Sequence, residues 1–326
     1  MGKLEDVFKK INKTYGAGSV GNLNDMPLHD IDTISSGSLV LNDALGVGGW
    51  AKGRITEIYG PESSGKTTLC IHAIAECQKK GGKAAFIDME HAFDKEYAEN
   101  LGVDTDALIF AQPDYGEQAL EMIDMLIETG EVDLLIVDSV AAMIPKRELE
   151  GEMGDANVGV LAKMMSQAMR KLVGKVSKTN TAMIFINQLR EKIGVMFGSP
   201  EVTTGGRALK FAASVRVDIR RTGSLKKGEE VIANTVKVKI TKNKVAPPFK
   251  IALLEIAFGV GVDLVAEVLT ICIDADVVKR NGSWYSYGDI KLGQGLPAVK
   301  ELLRDNQELF CELKDLAEMA FEEAKK

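Results

Sequence analysis

Apolar and polar positions along the chain follow two alternating periods. Residues 55–59, 84–88, 134–138, 183–187 and 215–219 are short runs of apolar or β-branched side chains with little polar interruption. Between the early runs, residues 67–80, 116–129 and 158–177 return an apolar side chain every three or four positions. The first pattern predicts strands buried on both faces, and the second predicts helices that cover them. From about Ile31 to Gly261 the expectation is therefore an α/β core, a central and mostly parallel sheet flanked by helices. Residues 236–241 and 251–258 predict two more strands, joined through 243–248 as an antiparallel edge.

Both ends of the chain depart from this rhythm. Leu4, Val7, Phe8, Ile11 and Tyr15 lie at helical spacing with Lys9, Lys10 and Lys13 between them, and a glycine-rich stretch follows at 16–22. This reads as an amphipathic helix on a tether, whose apolar face needs cover from its own domain or from a neighbouring subunit. After Gly261 comes a small mixed α+β unit containing Trp284-Tyr285-Ser286-Tyr287. Residues 301–326 carry 8 acidic and 4 basic side chains, the composition of a solvated helix face. The expected division is 1–27 for the N-terminal helix and linker, 28–263 for the core and 264–326 for a small C-terminal domain.

Composition narrows the class. Hydrophobic content of 45% and charged content of 27% over 326 residues are globular values. No apolar run is long enough to cross a bilayer and the first residues lack a leader pattern, so a cytoplasmic protein without membrane contact is expected. Cys70, Cys77, Cys272 and Cys311 are scattered, which predicts buried reduced thiols rather than a zinc site. The formal charge of −7 disfavours a polyanionic partner only until its distribution is examined, because residues 186–250 hold 14 Lys and Arg against 5 Asp and Glu.

The chemistry concentrates after the first strand. Gly60-Pro61-Glu62-Ser63-Ser64-Gly65-Lys66-Thr67-Thr68 separates the run 54–59 from the helix-forming 69–75, the setting of a phosphate-binding loop. Its glycines let the backbone wrap closely and turn N–H groups inward, Lys66 can reach the terminal phosphates, and the Thr67 hydroxyl can hold Mg²⁺. The apolar run 134–138 delivers Asp138 at a strand end, where a carboxylate organises Mg²⁺ and water. Past 84–88, Asp88 and Glu90 are candidates to activate that water, with Glu90 preferred because Asp88 still belongs to the strand. Asn187 and Gln188 present amides on the same rim, suited to sensing a γ-phosphate. Residues 241–246 imitate a guanine-reading motif, but Ala246 stands where a carboxylate is needed, so adenine and hence ATP are favoured.

Residues 190–207 form a long segment without sustained period directly after a strand end, with four glycines and a proline. Such loops are usually functional. Its hydroxyls, N–H groups and basic side chains can grip nucleic-acid phosphates, while Ile193, Val195, Met196 and Phe197 can wedge between bases.

With these blocks in order, the chain resembles the bacterial RecA recombinases from roughly residue 2 to residue 300. The carrying segments are 60–68, Phe86-Ile87-Asp88-Met89-Glu90-His91-Ala92, 134–142, 150–155, 164–172, 184–206 and Lys242-Asn243-Lys244. The resemblance implies that Glu90 activates water and that Gln188 couples the γ-phosphate to the following loop. It implies adenine contacts from Asp94 and Tyr97, and lysines, Lys242 and Lys244, that reach a neighbour's ATP. DNA contacts fall to residues 150–159, to Arg170, and to 190–207, with Arg190, Lys192, Gly194, Val195, Met196, Phe197 and Arg207 singled out. Phe211 is implied at the subunit interface. The partners implied are single- and double-stranded DNA, further copies in a helical filament, and LexA-type repressors. Lys95, Val158, Arg207 and the segment 258–263 depart from the family's usual residues. The chain also stops without the long acidic tail of some members.

Two other readings share the nucleotide site. A hexameric helicase of the same core would unwind duplex through closed rings without exchanging strands, and an ATP-gated scaffold would bind nucleotide without turnover. The loop blocks favour a recombinase over the first, and the set Lys66, Thr67, Glu90 and Asp138 favours turnover over the second.

Overall fold

The near-continuous apolar runs are parallel strands of one ten-stranded sheet. In the computed structural model, which describes residues 2–22, 31–152, 159–191 and 200–323, its strands are β1 (Ile55–Gly60), β2 (Ala84–Asp88), β3 (Ile109–Ala111), β4 (Leu134–Asp138), β5 (Ala182–Glu191), β6 (Glu201–Thr203), β7 (Val215–Lys227), β8 (Glu230–Asn243), β9 (Ile251–Ala257) and β10 (Gly261–Val262). From one edge the order is β10, β9, β8, β7, β1, β5, β4, β2, β3, with β6 paired to the end of β5. The six strands from β7 to β3 are mutually parallel. On the other side β8, β9 and β10 continue the sheet antiparallel, as the pattern around residues 236–258 predicts.

Every residue of β4 is buried because successive side chains enter opposite cores. Leu134 and Ile136 pack with Ile71 and Ile74 of the Lys66–Lys79 helix. Leu135 and Val137 pack with Ile123 of the Gly116–Glu128 helix and Leu172 of the Val160–Thr179 helix. Parallel strands covered in this way direct all their carboxyl ends to one rim, which is where β1, β2, β4 and β5 deliver the residues of the site.

The hairpin of β7 and β8 is longer than the pattern predicts. Residues 220–227 are polar apart from Gly223 and Leu225 and half-exposed or exposed throughout, so they carry no apolar period, yet they pair with β8 almost to the turn at Gly228. The C-terminal part has its own core. The Leu264–Asp274 helix, a three-stranded sheet over Lys279–Asn281, Trp284–Tyr287 and Ile290–Gln294, and the Leu296–Asp305 and Gln307–Glu323 helices enclose Leu269, Tyr285, Leu303 and Leu313. The acidic terminal segment thus buries Leu309, Leu313 and Ala317 on one face and leaves its carboxylates outside.

This part is tied to the larger α/β core by a carboxylate. Glu267 accepts hydrogen bonds from Ser38 Oγ at 2.7 Å and from the Leu39 backbone N–H at 2.9 Å. Burial pushes its carboxyl up to about 7 against the pull of those donors. Residues 1–32 form a separate unit. Within it, the Lys3–Tyr15 helix buries none of its side chains, and Asn12 closes on the Val20 backbone through both its amide groups. Of the thiols, Cys70, Cys77 and Cys272 are buried as expected, whereas Cys311 is exposed on the outer face of the terminal helix.

Candidate functional site

The loop after β1 owes its shape to two glycines. Gly65 has φ +94°, a left-handed backbone that other residues rarely adopt. A Cβ on Gly60 would lie 2.1 Å from the Ile219 carbonyl oxygen of β7. The Lys66–Lys79 helix starts immediately after Gly65, so its first N–H groups open onto the loop. Lys66 Nζ donates to the carbonyls of Gly60 at 3.2 Å and Pro61 at 2.7 Å. Burial lowers its ammonium below the ordinary lysine value, opposed by Asp138, Glu90 and Glu62. Such a lysine is poised for an anion.

A cavity of about 380 Å³ opens over this loop, lined by Glu62 to Thr68, Glu90, Asp138 and Gln188. Thr67 Oγ1 donates to Asp138 Oδ2 at 2.7 Å. Burial pushes the Asp138 carboxyl up to about 6, with Glu90 and Asp88 adding to the effect and Thr67 and Lys66 opposing it. A hydroxyl beside a carboxylate is a hard oxygen pair that suits Mg²⁺ with phosphate and water oxygens completing its shell.

Glu90 stands across the cavity and is held from two sides. Ser139 Oγ donates to its Oε1 at 2.5 Å and Gln188 Nε2 donates to the same oxygen at 2.9 Å. Asp88 has another task, since its Oδ2 accepts from the Phe93 N–H at 3.2 Å and Gln112 Nε2 at 3.0 Å and braces the turn. Ser139 is the residue that reading the sequence misses, because a serine after an apolar run carries no signal of its own.

Asn187 does not share the role expected of both amides. It is fully buried, donates to Glu57 Oε1 at 2.9 Å and to the Thr204 carbonyl at 3.0 Å, and accepts from the Gln188 N–H. Glu57 in turn accepts from Arg216 Nε at 2.5 Å, and the Arg216 guanidinium lies 4.4 Å from the centre of the Tyr59 ring. A buried polar chain therefore fixes both Gln188 in the second half of β5 and Thr204, which follows β6. Arg220 clamps the same stem, with paired bonds to Glu201 at 3.0 and 2.6 Å.

The remaining candidates lie at several places. Tyr97 OH meets Thr68 Oγ1 at 3.2 Å beside the loop, and Asp94 caps the Lys95–Asn100 helix by accepting from the Tyr97 N–H. Arg170, Arg190 and Arg207 are exposed. Lys192, Gly194, Val195, Met196 and Phe197 lie outside the described residues, as does Val158. Phe211 is 68% exposed, and Lys242 Nζ donates to its carbonyl. Lys242 and the exposed Lys244 do not line the cavity. Asn243 between them is structural: it donates to the Leu45 carbonyl and accepts from the N–H groups of Val245 and Ala246, which disposes of the guanine-motif likeness.

Comparison with known proteins agrees with this geometry. The family model of the RecA N-terminal domain matches residues 2–263, and that of the RecA C-terminal domain matches 266–321. "Protein RecA" of Porphyromonas gingivalis is 58% identical over 310 residues, covering 95% of this chain and 91% of that protein. "Protein RecA" of Bacteroides thetaiotaomicron is 58% identical over 313 residues, with 96% and 95% covered. That of Lactiplantibacillus pentosus is 53% identical over 318 residues, with 98% and 84% covered. Among solved structures, the RadB recombinase superposes with a TM-score of 0.54 at 24% identity, covering 71% of this chain and 98% of that one, a likeness of fold.

Proposed function

The chain belongs to the RecA family and is a DNA-dependent ATPase of homologous recombination and repair, and we propose that its nucleotide site, its segment 190–207 and its subunit contacts work as one switch. The observation that carries this reading is the bond from Gln188 Nε2 to Glu90 Oε1. It joins the carboxylate beside the phosphate loop to β5, the strand that leads into the segment we assign to DNA contact.

In this reading the chain assembles as a filament on single-stranded DNA, and homology with an incoming duplex is tested by base pairing while the protein grips backbones. Lys66 leaves its loop carbonyls for the terminal phosphates, and Thr67 with Asp138 holds Mg²⁺, which neutralises phosphate charge. Glu90, oriented by Ser139, takes the proton of the attacking water. Gln188 senses the γ-phosphate and passes its state through Asn187 and the stem at Thr204 to the DNA contacts, which we assign to Arg170, Arg190, Lys192, Gly194, Val195, Met196, Phe197 and Arg207. Lys242 and Lys244 serve the ATP of the adjacent subunit, with Phe211 in the contact. ATP is then needed for assembly, and its hydrolysis loosens subunits and DNA together.

A recombinase acting on chromosomal DNA works in the cytoplasm, where we place this one. None of the described helices is long and apolar enough to cross a membrane. LexA-type repressors as partners of the assembled filament rest on family membership alone.

The test is strand exchange between a circular single strand and a homologous linear duplex, followed by microscopy of the ATP-bound complex. Joint molecules and helical filaments that require ATP are expected. Closed rings that unwind duplex without exchange would establish the helicase, and assembly without DNA-stimulated phosphate release would establish the scaffold.

A further inference from the structure

Strand β8 breaks its alternation at Thr241. Val236, Val238 and Ile240 enter the core that also holds Ile58 and Val217, and strict alternation would send Lys242 in after them. A bulge prevents this. Ile240 pairs with Val217 of β7 and Lys242 with Arg216, which leaves Thr241 as an extra residue without a partner in β7. Lys242 is thereby turned to the other face of the sheet, where its ammonium reaches the carbonyls of Lys210 and Phe211 in a helix that packs on the second core through Leu209. The extra residue is itself pinned. Thr241 Oγ1 donates to the Arg216 carbonyl at 3.3 Å, and with its one proton spent there it accepts from the Tyr59 hydroxyl at 2.9 Å. Burial holds the Tyr59 phenol above the ordinary tyrosine value, so that proton is present to be donated. Both partners of Thr241 adjoin the buried polar chain, since the Arg216 side chain lies over the Tyr59 ring and donates to Glu57, which accepts from Asn187, the acceptor of the Gln188 N–H.

We propose that Thr241 is a positioning residue for the intersubunit lysine: its hydroxyl, clamped by Tyr59 and the Arg216 carbonyl, fixes the bulge that aims Lys242 and ties that aim to β5, which bears Gln188. This deepens, and rests on, the reading of Lys242 as a ligand of the adjacent subunit's ATP. A slip of one residue in the pairing of β8 with β7 would return Lys242 to the apolar face. The clamped hydroxyl opposes that slip, so the lysine is aimed before the neighbour arrives and less order has to be imposed on assembly. One buried cluster then sets both what a subunit reads of its own nucleotide, through Gln188, and what it offers to the nucleotide of the next.

The experiment measures phosphate release from ATP on single-stranded DNA by full-length chains, alone and diluted into an excess of Glu90→Gln subunits. Those subunits offer a native Lys242 to each diluted site and release little phosphate themselves. Alone, Thr241→Val should need about five- to tenfold more ATP for half-maximal turnover, the worth of one good hydrogen bond. Diluted, it should match native subunits diluted in the same way, because each of its sites then meets a native lysine. A defect confined to the variant's own fold travels with its own site and is not repaired by neighbours. Thr241→Ser keeps the hydroxyl and should behave as the native chain. Tyr59→Phe removes only the bond to Thr241 and should reproduce Thr241→Val, and urea midpoints near the native one establish that these variants fold. A native ATP requirement in both Thr241→Val and Tyr59→Phe overturns the assignment. So does a deficit of Thr241→Val that persists on dilution while dilution rescues Lys242→Met. If dilution rescues neither, the reading of Lys242 as a ligand of the neighbour's ATP fails as well.

Discussion

Lys242 Nζ donates to the carbonyl of Phe211 at 3.1 Å and to that of Lys210 at 2.8 Å. Its ammonium thus caps the end of the Ala208–Ala212 helix that exposes Phe211. Burial, with Lys244 and Arg216 nearby, lowers its affinity for a proton. If the same ammonium must serve a neighbour's ATP, it has to trade helix carbonyls for phosphate oxygens. Lys242→Met should leave the free subunit within about 1 kcal/mol of native stability, since this bond faces solvent. ATP-dependent assembly should be lost. Urea melts and sedimentation with and without ATP distinguish the two effects, and a variant that melts early but assembles normally would reduce Lys242 to a helix cap.

The short bond from Ser139 to Glu90 makes a kinetic prediction. If Glu90 is the base, as proposed, Glu90→Gln removes it and leaves the proposed nucleotide ligands Lys66, Thr67 and Asp138 in place. DNA-stimulated phosphate release should fall by about 10²–10⁴ with filaments still forming in ATP. Ser139→Ala keeps the carboxylate and loses only its orientation, so kcat should drop by roughly tenfold with little change in KM. A large rise in KM for either variant would mean that these residues bind substrate rather than act on water.

Glycine spacing and the apolar run before Asp138 made the phosphate loop and the sheet legible, because parallel strands covered on both faces have few other solutions. The pairing that supports them was not legible. Glu57 sits in Ile55-Thr56-Glu57-Ile58-Tyr59, a run that predicts a strand buried on both faces, but nothing local names its counter-charge, because Arg216 comes to it from β7 across 159 residues of chain. Asn187 was placed on the correct rim, but its side chain turns inward, since the second neighbour that claims it, Thr204, lies beyond a loop no local pattern can close. Ser139 carries no sequence signal, and only its folded neighbour Glu90 reveals what it faces.

The buried pair itself gives a stability prediction. Glu57→Ala leaves the Arg216 guanidinium, which is 8% exposed, without its counter-charge. Breaking such a pair from one side costs about 3–5 kcal/mol. Glu57→Gln should cost less, because it can still accept from Arg216. Both changes should also weaken single-stranded DNA binding by slackening the bond from Asn187 to Thr204. Urea unfolding ranks the variants, and equal stability of all three proteins would show that Glu57 is not load-sharing with Arg216.

Contacts to DNA backbone predict a salt response. Affinity for single strands should fall linearly in log–log form with a slope of about −0.7 per phosphate neutralised. Arg190→Ala and Arg207→Ala should each flatten that slope by roughly one contact without altering base preference. Arg220→Ala tests something different: it frees Glu201 at the stem of the loop without removing a DNA contact. Its affinity should drop while the slope stays native. Fluorescence anisotropy over a salt series separates the outcomes, and a slope unchanged in Arg190→Ala would remove that residue from the DNA surface.

The raised Asp138 carboxyl sets a pH dependence with a definite sign. Below pH about 4 this group is protonated in both folded and unfolded chains and contributes no difference. Between about 4 and 6 the unfolded chain ionises while the folded one, held up to about 6 by burial, does not. Stability of the nucleotide-free chain should therefore fall across that window and level off above it, by an order of 3 kcal/mol at most. Asp138→Asn should abolish this fall and melt later than the native chain at pH 7. Mg²⁺ needs the ionised carboxylate, so Mg²⁺-dependent ATP affinity should rise over the same window in the native chain and stay low in the variant. Melting curves and nucleotide titrations from pH 4.5 to 8 test both halves. Native stability that rises between pH 4 and 6 from this group, read as the difference from Asp138→Asn, would show that Thr67 and Lys66 outweigh burial at the site.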